Sequence, residues 1–147
     1  MTPGSPLADP VWHLLAVVSV LLVFKMMLVG TWTSVIRLRR NVYATEEDYA
    51  LRGLPAAAGR DADVERTRRA HRNDLENVLP FLAVAPFYAM TGPSLGAARV
   101  FFWGFFVARA LHSVFYIRGR QPHRTIAFAV AQLTFVAMLI VTLTRLA

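Results

Sequence analysis

From Glu65 to Pro80 the chain reads Glu-Arg-Thr-Arg-Arg-Ala-His-Arg-Asn-Asp-Leu-Glu-Asn-Val-Leu-Pro, a dense set of charges entering an apolar segment with no turn signal between them. The uncharged remainder, Val78 to Met90, holds 13 residues. That is about 20 Å of helix, against a hydrocarbon core about 30 Å thick. A span here must therefore begin near His71, which sets Arg72, Asn73 and Glu76 at or below the lipid headgroups. Ionisable groups at that depth are costly, face protein or a wet cavity, and mark function.

Helical spacing groups these residues. Arg69, Arg72 and Glu76 are related by steps of three and four and share one face, with Asn73 beside Arg69. Arg109, His112 and Tyr116 repeat that spacing in a later segment, Arg124 and Thr125 open the last one, and Arg37 closes the first. The expectation is a single cavity at one mouth of a helical bundle. Several arginines with a Glu, an Asn, a His and a Tyr suit a small zwitterion carrying more than one carboxylate. Arginine forks hold carboxylates bidentately, and Glu76 can take an ammonium group. Glutathione has this composition, plus a thiol whose pKa of about 8.5 falls when positive charge is near.

Each group also has a plainer reading. The Arg66 to Arg72 run is a solvated juxtamembrane face for anionic lipid, or part of a site. Glu76 is a ligand, or a counter-ion to Arg72 or Arg109. His112 is functional, or a satisfied core histidine. Tyr116 is a site residue, or a member of an interfacial belt, and Arg118, Arg120 and Arg124 are ordinary loop charges or more. Convergence at one depth from several helices favours the site.

Elements able to position these residues follow from hydropathy. Hydrophobic residues make up 56% of the 147, charged ones 17%, and mean hydropathy is +0.44, a balance that a soluble domain of this size cannot cover. Helices are expected at about 10–39, 62–91, 94–117 and 122–146, with the stretch from Arg37 to about Asp63 otherwise read as a polar loop. The fold class is thus an all-α membrane protein, one domain over residues 1–147, built as a four-helix transmembrane bundle. Met1 to Pro10 lacks a basic n-region, so the first apolar segment is expected to stay as an anchor.

Charge orients the bundle. Nine of the sixteen basic residues lie between Arg37 and Arg72, and Arg118, Arg120 and Arg124 add three more. By the positive-inside rule both regions face the cytoplasm. The net charge of +7 is read as topology, not as nucleic-acid binding. With no cysteine there is no disulfide, thiolate metal site or Cys nucleophile. No zinc motif, P-loop, dinucleotide fingerprint or serine elbow is present, and no metal site is expected.

The spaced residues Glu65-Arg66-x-x-Arg69-Ala70-His71-x-Asn73-x-x-Glu76-Asn77-x-x-Pro80-Phe81 resemble the signature of the MAPEG family, the membrane-associated proteins in eicosanoid and glutathione metabolism. The likeness extends through Lys25-Met26, Arg37-Leu38-Arg39, Tyr43-Ala44-x-x-Glu47-Asp48, Arg109-x-x-His112-x-x-x-Tyr116 and Arg124. It points to the branch of microsomal glutathione transferases and prostaglandin E synthases. The resemblance implies a homotrimer with glutathione held between subunits near the cytoplasmic face. It assigns Arg72, Asn73, Glu76, His112 and Tyr116 to glutathione contacts, and Arg37 to the same site from a neighbouring subunit. Arg69 takes a more structural part. Arg124 falls near the glutathione sulfur, and Asp48 matches a carboxylate proposed to act with it. Thr125 stands where the synthase has a serine and the transferase an alanine. Phe128 matches the transferase. The loop between Tyr116 and Arg124 is one residue shorter than in either.

The expected activity is glutathione transfer to hydrophobic electrophiles, with glutathione peroxidase activity beside it. The alternative is a glutathione-dependent endoperoxide isomerase of the prostaglandin E synthase type, and the third reading is a non-enzymatic membrane scaffold or small transporter. The protein is expected to be multi-pass, in the bacterial inner membrane that the arginine and alanine bias suggests or in the endoplasmic reticulum, with its site toward the cytoplasm. A trimer is also expected because one bundle looks too small to satisfy Lys25, Arg72, Glu76, Arg109 and His112.

Overall fold

The chain is described by a computed structural model covering residues 5–55, 59 and 61–147. Residues 1–4 of the N-terminal stretch, and residues 56–58 and 60 of the basic loop, lie outside the described residues. After a short 3-10 turn at Pro6–Ala8, helix α1 runs over Pro10–Arg40. Asp9 caps it, accepting from the backbone N–H of Val11 at 2.7 Å and Trp12 at 3.2 Å, while Pro10 supplies a first-turn φ without a wasted donor. At the far end Asn41 adopts φ 53°, the left-handed conformation that closes helices. At 31 residues, α1 is about 46 Å long, so its arginine-rich end projects beyond a hydrocarbon core.

The expected polar loop contains a helix of its own, α2, at Glu46–Leu51. Thr45 caps it and three acids fill its first turn, where they meet the positive end of the helix dipole. Helix α3 covers Ala62–Met90 and carries both Pro80 and Pro86 inside it. Its cap, Asp61, accepts from Asp63 and Val64 N–H at 2.9 and 3.0 Å. The Val64 bond, first among the causes, holds the Asp61 carboxyl below its ordinary range. Ser94 caps α4, Leu95–Ile117, and α5 follows at His123–Leu146.

The four long helices pack antiparallel to their chain neighbours. Helix α1 lies on α3, and α4 on α5; α4 also touches α1 and α3, and α3 touches α5, while α1 and α5 make no contact among the described residues. Helices α3 and α4 are therefore the inner diagonal. On α3 the residues Val78, Phe81, Ala85 and Tyr88 are fully buried, recurring by steps of three and four. They meet Phe102 and Phe105 of α4, Phe81 stacking on Phe105 with ring centroids 4.1 Å apart. The lack of a side chain at Gly30 of α1 makes room for the His71 ring of α3, which a Cβ there would meet at 3.1 Å.

The outer surface carries large apolar side chains such as Val20 (68% exposed) and Leu133 (70% exposed). Helices α1, α4 and α5 are each long and apolar enough to cross a bilayer. The chain is an integral membrane protein. Helix α3 matches them in length, but its first half is charged.

Candidate active site

The polar half of α3 is organised by Asp74, whose side chain is completely buried. Asp74 Oδ1 accepts from Lys25 Nζ at 2.5 Å and from Arg109 Nη2 at 2.7 Å. Ser113 Oγ lies 3.2 Å from both carboxylate oxygens. One carboxylate thus ties α1, α3 and α4 together. The same Arg109 nitrogen donates to the Asn73 side-chain oxygen at 2.9 Å and to the Asn73 carbonyl at 3.1 Å. That carbonyl also accepts from Asn77 Nδ2 at 2.7 Å.

This arrangement removes one plainer reading and corrects one expectation. Arg109 pairs with Asp74, so Glu76 is not its counter-ion. Lys25 and Arg109 also find their counter-ion within one chain, so they give no reason for a trimer. The signal for Asp74 was available in the sequence. It precedes Val78, Phe81, Ala85 and Tyr88 by the same steps and so belongs to their buried stripe.

His112, one turn after Arg109 on α4, is buried. Its Nδ1 lies 3.1 Å from the Arg124 carbonyl oxygen, which fixes the ring against α5. Its Nε2 is buried without a hydrogen-bond partner among the described residues. The ring contacts Tyr116 edge-on at 5.5 Å and Phe128 at 5.6 Å. The Arg124 guanidinium sits 4.6 Å from the centroid of the Tyr116 ring, within cation–π range. The Gln121 side-chain amide lies between that guanidinium and Thr125 Oγ1, 2.9 Å from the hydroxyl. His112, Tyr116, Arg124 and Thr125 thus form one group where α4 turns into α5.

The other candidates lie elsewhere on the single chain. Arg72 and Glu76 are exposed on the outer face of α3, with no ion pair among the described residues. Arg69 shares that exposed face, and Asn73 turns inward to Arg109. Arg37, near the end of α1, lines a polar cavity of about 330 Å³ with Tyr43, Tyr49, Glu65 and Arg68. Asp48 is exposed on α2. Beside it, the backbone N–H of Glu47 and the Thr45 hydroxyl hold the Glu47 carboxyl below its ordinary range. The single bundle mouth expected for all of these is not formed by one chain: they divide between the α4–α5 turn, the outside of α3 and the α1–α2 corner.

Comparison with known proteins gives these positions a context. The model of the MAPEG family matches residues 15–144. Prostaglandin E synthase from Bos taurus is 41% identical over 121 residues, covering 82% of this chain and 79% of that protein. Prostaglandin E synthase from Homo sapiens is 40% identical over 121 residues, with 82% and 80% covered. Microsomal glutathione S-transferase 1 from Homo sapiens is 39% identical over 127 residues, with 83% and 82% covered.

Proposed function

The chain belongs to the MAPEG family, and from that membership we propose that it is a membrane-bound glutathione-dependent enzyme, a transferase that conjugates glutathione to lipophilic electrophiles. Relatives named as transferase and as synthase are about equally similar, so identity does not divide the two activities. One observation carries the transferase reading. The Arg124 guanidinium is held over Tyr116 beside His112, whereas the exposed Thr125 hydroxyl, standing where the synthase branch has its serine, meets the Gln121 amide and none of that group among the described residues. Phe128 against His112 agrees with it.

In this reading glutathione is the cosubstrate. Glu76 takes its amino group, Arg72 and Arg37 its carboxylates, and Asn73, His112 and Tyr116 complete the pocket. The unpaired ends of Arg72 and Glu76 and the buried Nε2 of His112 support that fit. Arg124 faces the sulfur, and its permanent charge favours thiolate over thiol in a poorly solvated site. Asp48 is the carboxylate assigned by family likeness to act with Arg124. The thiolate then forms a carbon–sulfur bond as the electrophile's leaving group departs.

A homotrimer belongs to the same proposal. Arg72 and Glu76 lie on an outward helix face together with the exposed apolar residues Leu75 and Leu79. Bare charges there are costly in lipid, and a second copy would cover them and add its Arg37. The basic ends of α1 and α3 support a cytoplasmic site with four spans, α3 included.

The test is thiolate formation followed by a substrate panel. In purified protein, Arg124→Leu should lose the ultraviolet absorbance of bound thiolate near neutral pH and move the pH–rate profile upward, because removing the cation raises the thiol pKa. It should bind glutathione nearly as before, and Thr125→Ala should change little. Aryl halides and lipid hydroperoxides should turn over faster than endoperoxides. Strong loss on Thr125→Ala with fast endoperoxide isomerisation would instead establish the synthase reading. Thiolate unchanged in Arg124→Leu would remove Arg124 from the mechanism.

A further inference from the structure

The outer groove between α1 and α4, where Leu28, Trp32 and Val114 are exposed, joins two cavities of different character. The deeper one, about 350 Å³, is lined by Leu28, Val29, Trp32, Val114 and Ile117, with Arg118 at its edge. The other, about 300 Å³, shares Trp32 and Ile117 with the first but is lined otherwise by Ile36, Arg39, Arg40, Asp63 and Thr67. An apolar slot therefore leads into a basic pocket. Asp63, the carboxylate among these residues, is already engaged by Arg40 at 2.5 Å and Arg66 at 3.1 Å. Arg39 and Arg118 are exposed and have no ion pair among the described residues. Arg39 lies 5.8 Å from the Trp32 ring, so the basic level coincides with an aromatic residue of the kind that sits at the headgroups.

Depth fits the same picture. The rise from Leu28 to Arg39 is about 16 Å of helix, close to half of a hydrocarbon core about 30 Å thick. The slot therefore has the length of one leaflet, the one on the arginine-rich side. Basic pockets between membrane helices on that side recognise phospholipid headgroups.

We propose that the α1–α4 groove is a binding site for an anionic phospholipid of the arginine-rich leaflet, its phosphodiester held by Arg39 and Arg118 and one acyl chain lying along Leu28, Val29 and Val114. Arg40 is neutralised by Asp63 and contributes less. The continuous apolar slot distinguishes this occupant from a soluble phosphate, which would have no use for it. The site is separate from the residues assigned to glutathione and stands whether or not that assignment holds.

Tryptophan fluorescence tests it in the intact full-length protein. The chain has Trp12, Trp32 and Trp103, so Trp12→Phe with Trp103→Phe leaves Trp32 as the reporter. In nanodiscs of unlabelled phosphatidylcholine, small equal fractions of brominated phosphatidylglycerol or brominated phosphatidylcholine are introduced. The anionic lipid should quench Trp32 at roughly thirtyfold lower mole fraction, as two arginines near a membrane surface imply. Adding Arg39→Gln and Arg118→Gln should abolish that preference while quenching by phosphatidylcholine and enzyme activity persist. Inorganic phosphate should not displace the brominated lipid. Equal quenching by the two lipids, quenching by neither, or a preference that survives the double substitution would overturn the proposal. If the double variant loses its fold, reporter protein in high salt replaces it: the preference must then fall with ionic strength, and a salt-independent preference counts against the site.

Discussion

At the residue scale, Glu76 and Asp74 show how two carboxylates one half-turn apart acquire different tasks. Asp74 is buried and shared by Lys25, Arg109 and Ser113. Glu76 is exposed and keeps its oxygens available. Glu76→Gln should therefore spare the fold but weaken glutathione binding about ten- to a hundredfold, the equivalent of a charge-assisted hydrogen bond of about 1.5–3 kcal/mol. Isothermal titration on folded variant protein measures this; unchanged affinity would make Glu76 a surface charge. The sequence showed that Arg69, Arg72 and Glu76 share a face, because helical spacing alone decides that. It did not show which face points inward, and the dense charge run concealed Asp74 as one acid among several. Only its register with Val78 and Phe81 separates it from its neighbours.

At the element scale, helix class and membrane character were legible because apolar length and charge distribution determine them. Helix α2 was not legible: six residues, Glu46–Leu51, are too few for a periodic pattern, and only the Thr45 cap and the acids after it hint at a helix. What holds the long helices in register is also local. Lys25 of α1, Asp74 of α3 and Arg109 of α4 meet at one depth, and Gly30 lets α1 approach His71. Removing the shared carboxylate leaves two buried cations facing each other. Asp74→Ala should thus cost about 3–5 kcal/mol, the range for breaking a buried pair from one side. Thermal unfolding in detergent should show the loss, and Asp74→Glu should recover part of it. Asn73 should also lose its orientation when Arg109 moves, raising the KM for glutathione more than a surface change would. A variant as stable as the parent would mean that lipid or water satisfies both cations.

At the scale of the whole molecule, one chain does not gather the candidate residues. Arg72 and Glu76 face outward, Arg37 lies at the α1–α2 corner, and the His112, Tyr116 and Arg124 group is at the α4–α5 turn. Sequence spacing carries no information about this division, since it ranks residues along helices and is silent on how subunits meet. The proposed trimer makes a direct prediction. Amine-independent cross-linking between cysteines placed at Arg69 of one copy and near Arg37 of the next should give a covalent trimer, and isolated monomers should neither bind glutathione nor turn over. Products that stop at dimer, or active monomers, would remove the shared site.

The Lys25–Asp74–Arg109 cluster has a consequence for biosynthesis. Lys25 leaves the ribosome 49 residues ahead of Asp74, and Arg109 follows 35 residues after it. The helix carrying Lys25 is therefore made before its Asp74 partner, against an insertion cost of about 2.5–3.5 kcal/mol for a basic residue at mid-span. Its leucines, valines and isoleucine, each contributing about −0.3 to −0.6 kcal/mol on the same scale, offset that cost. Insertion of the first helix thus depends on an apolar surplus, and its charge acquires a partner only as the next span is delivered. The amino-acid composition of α1 serves the order of synthesis as well as the finished fold.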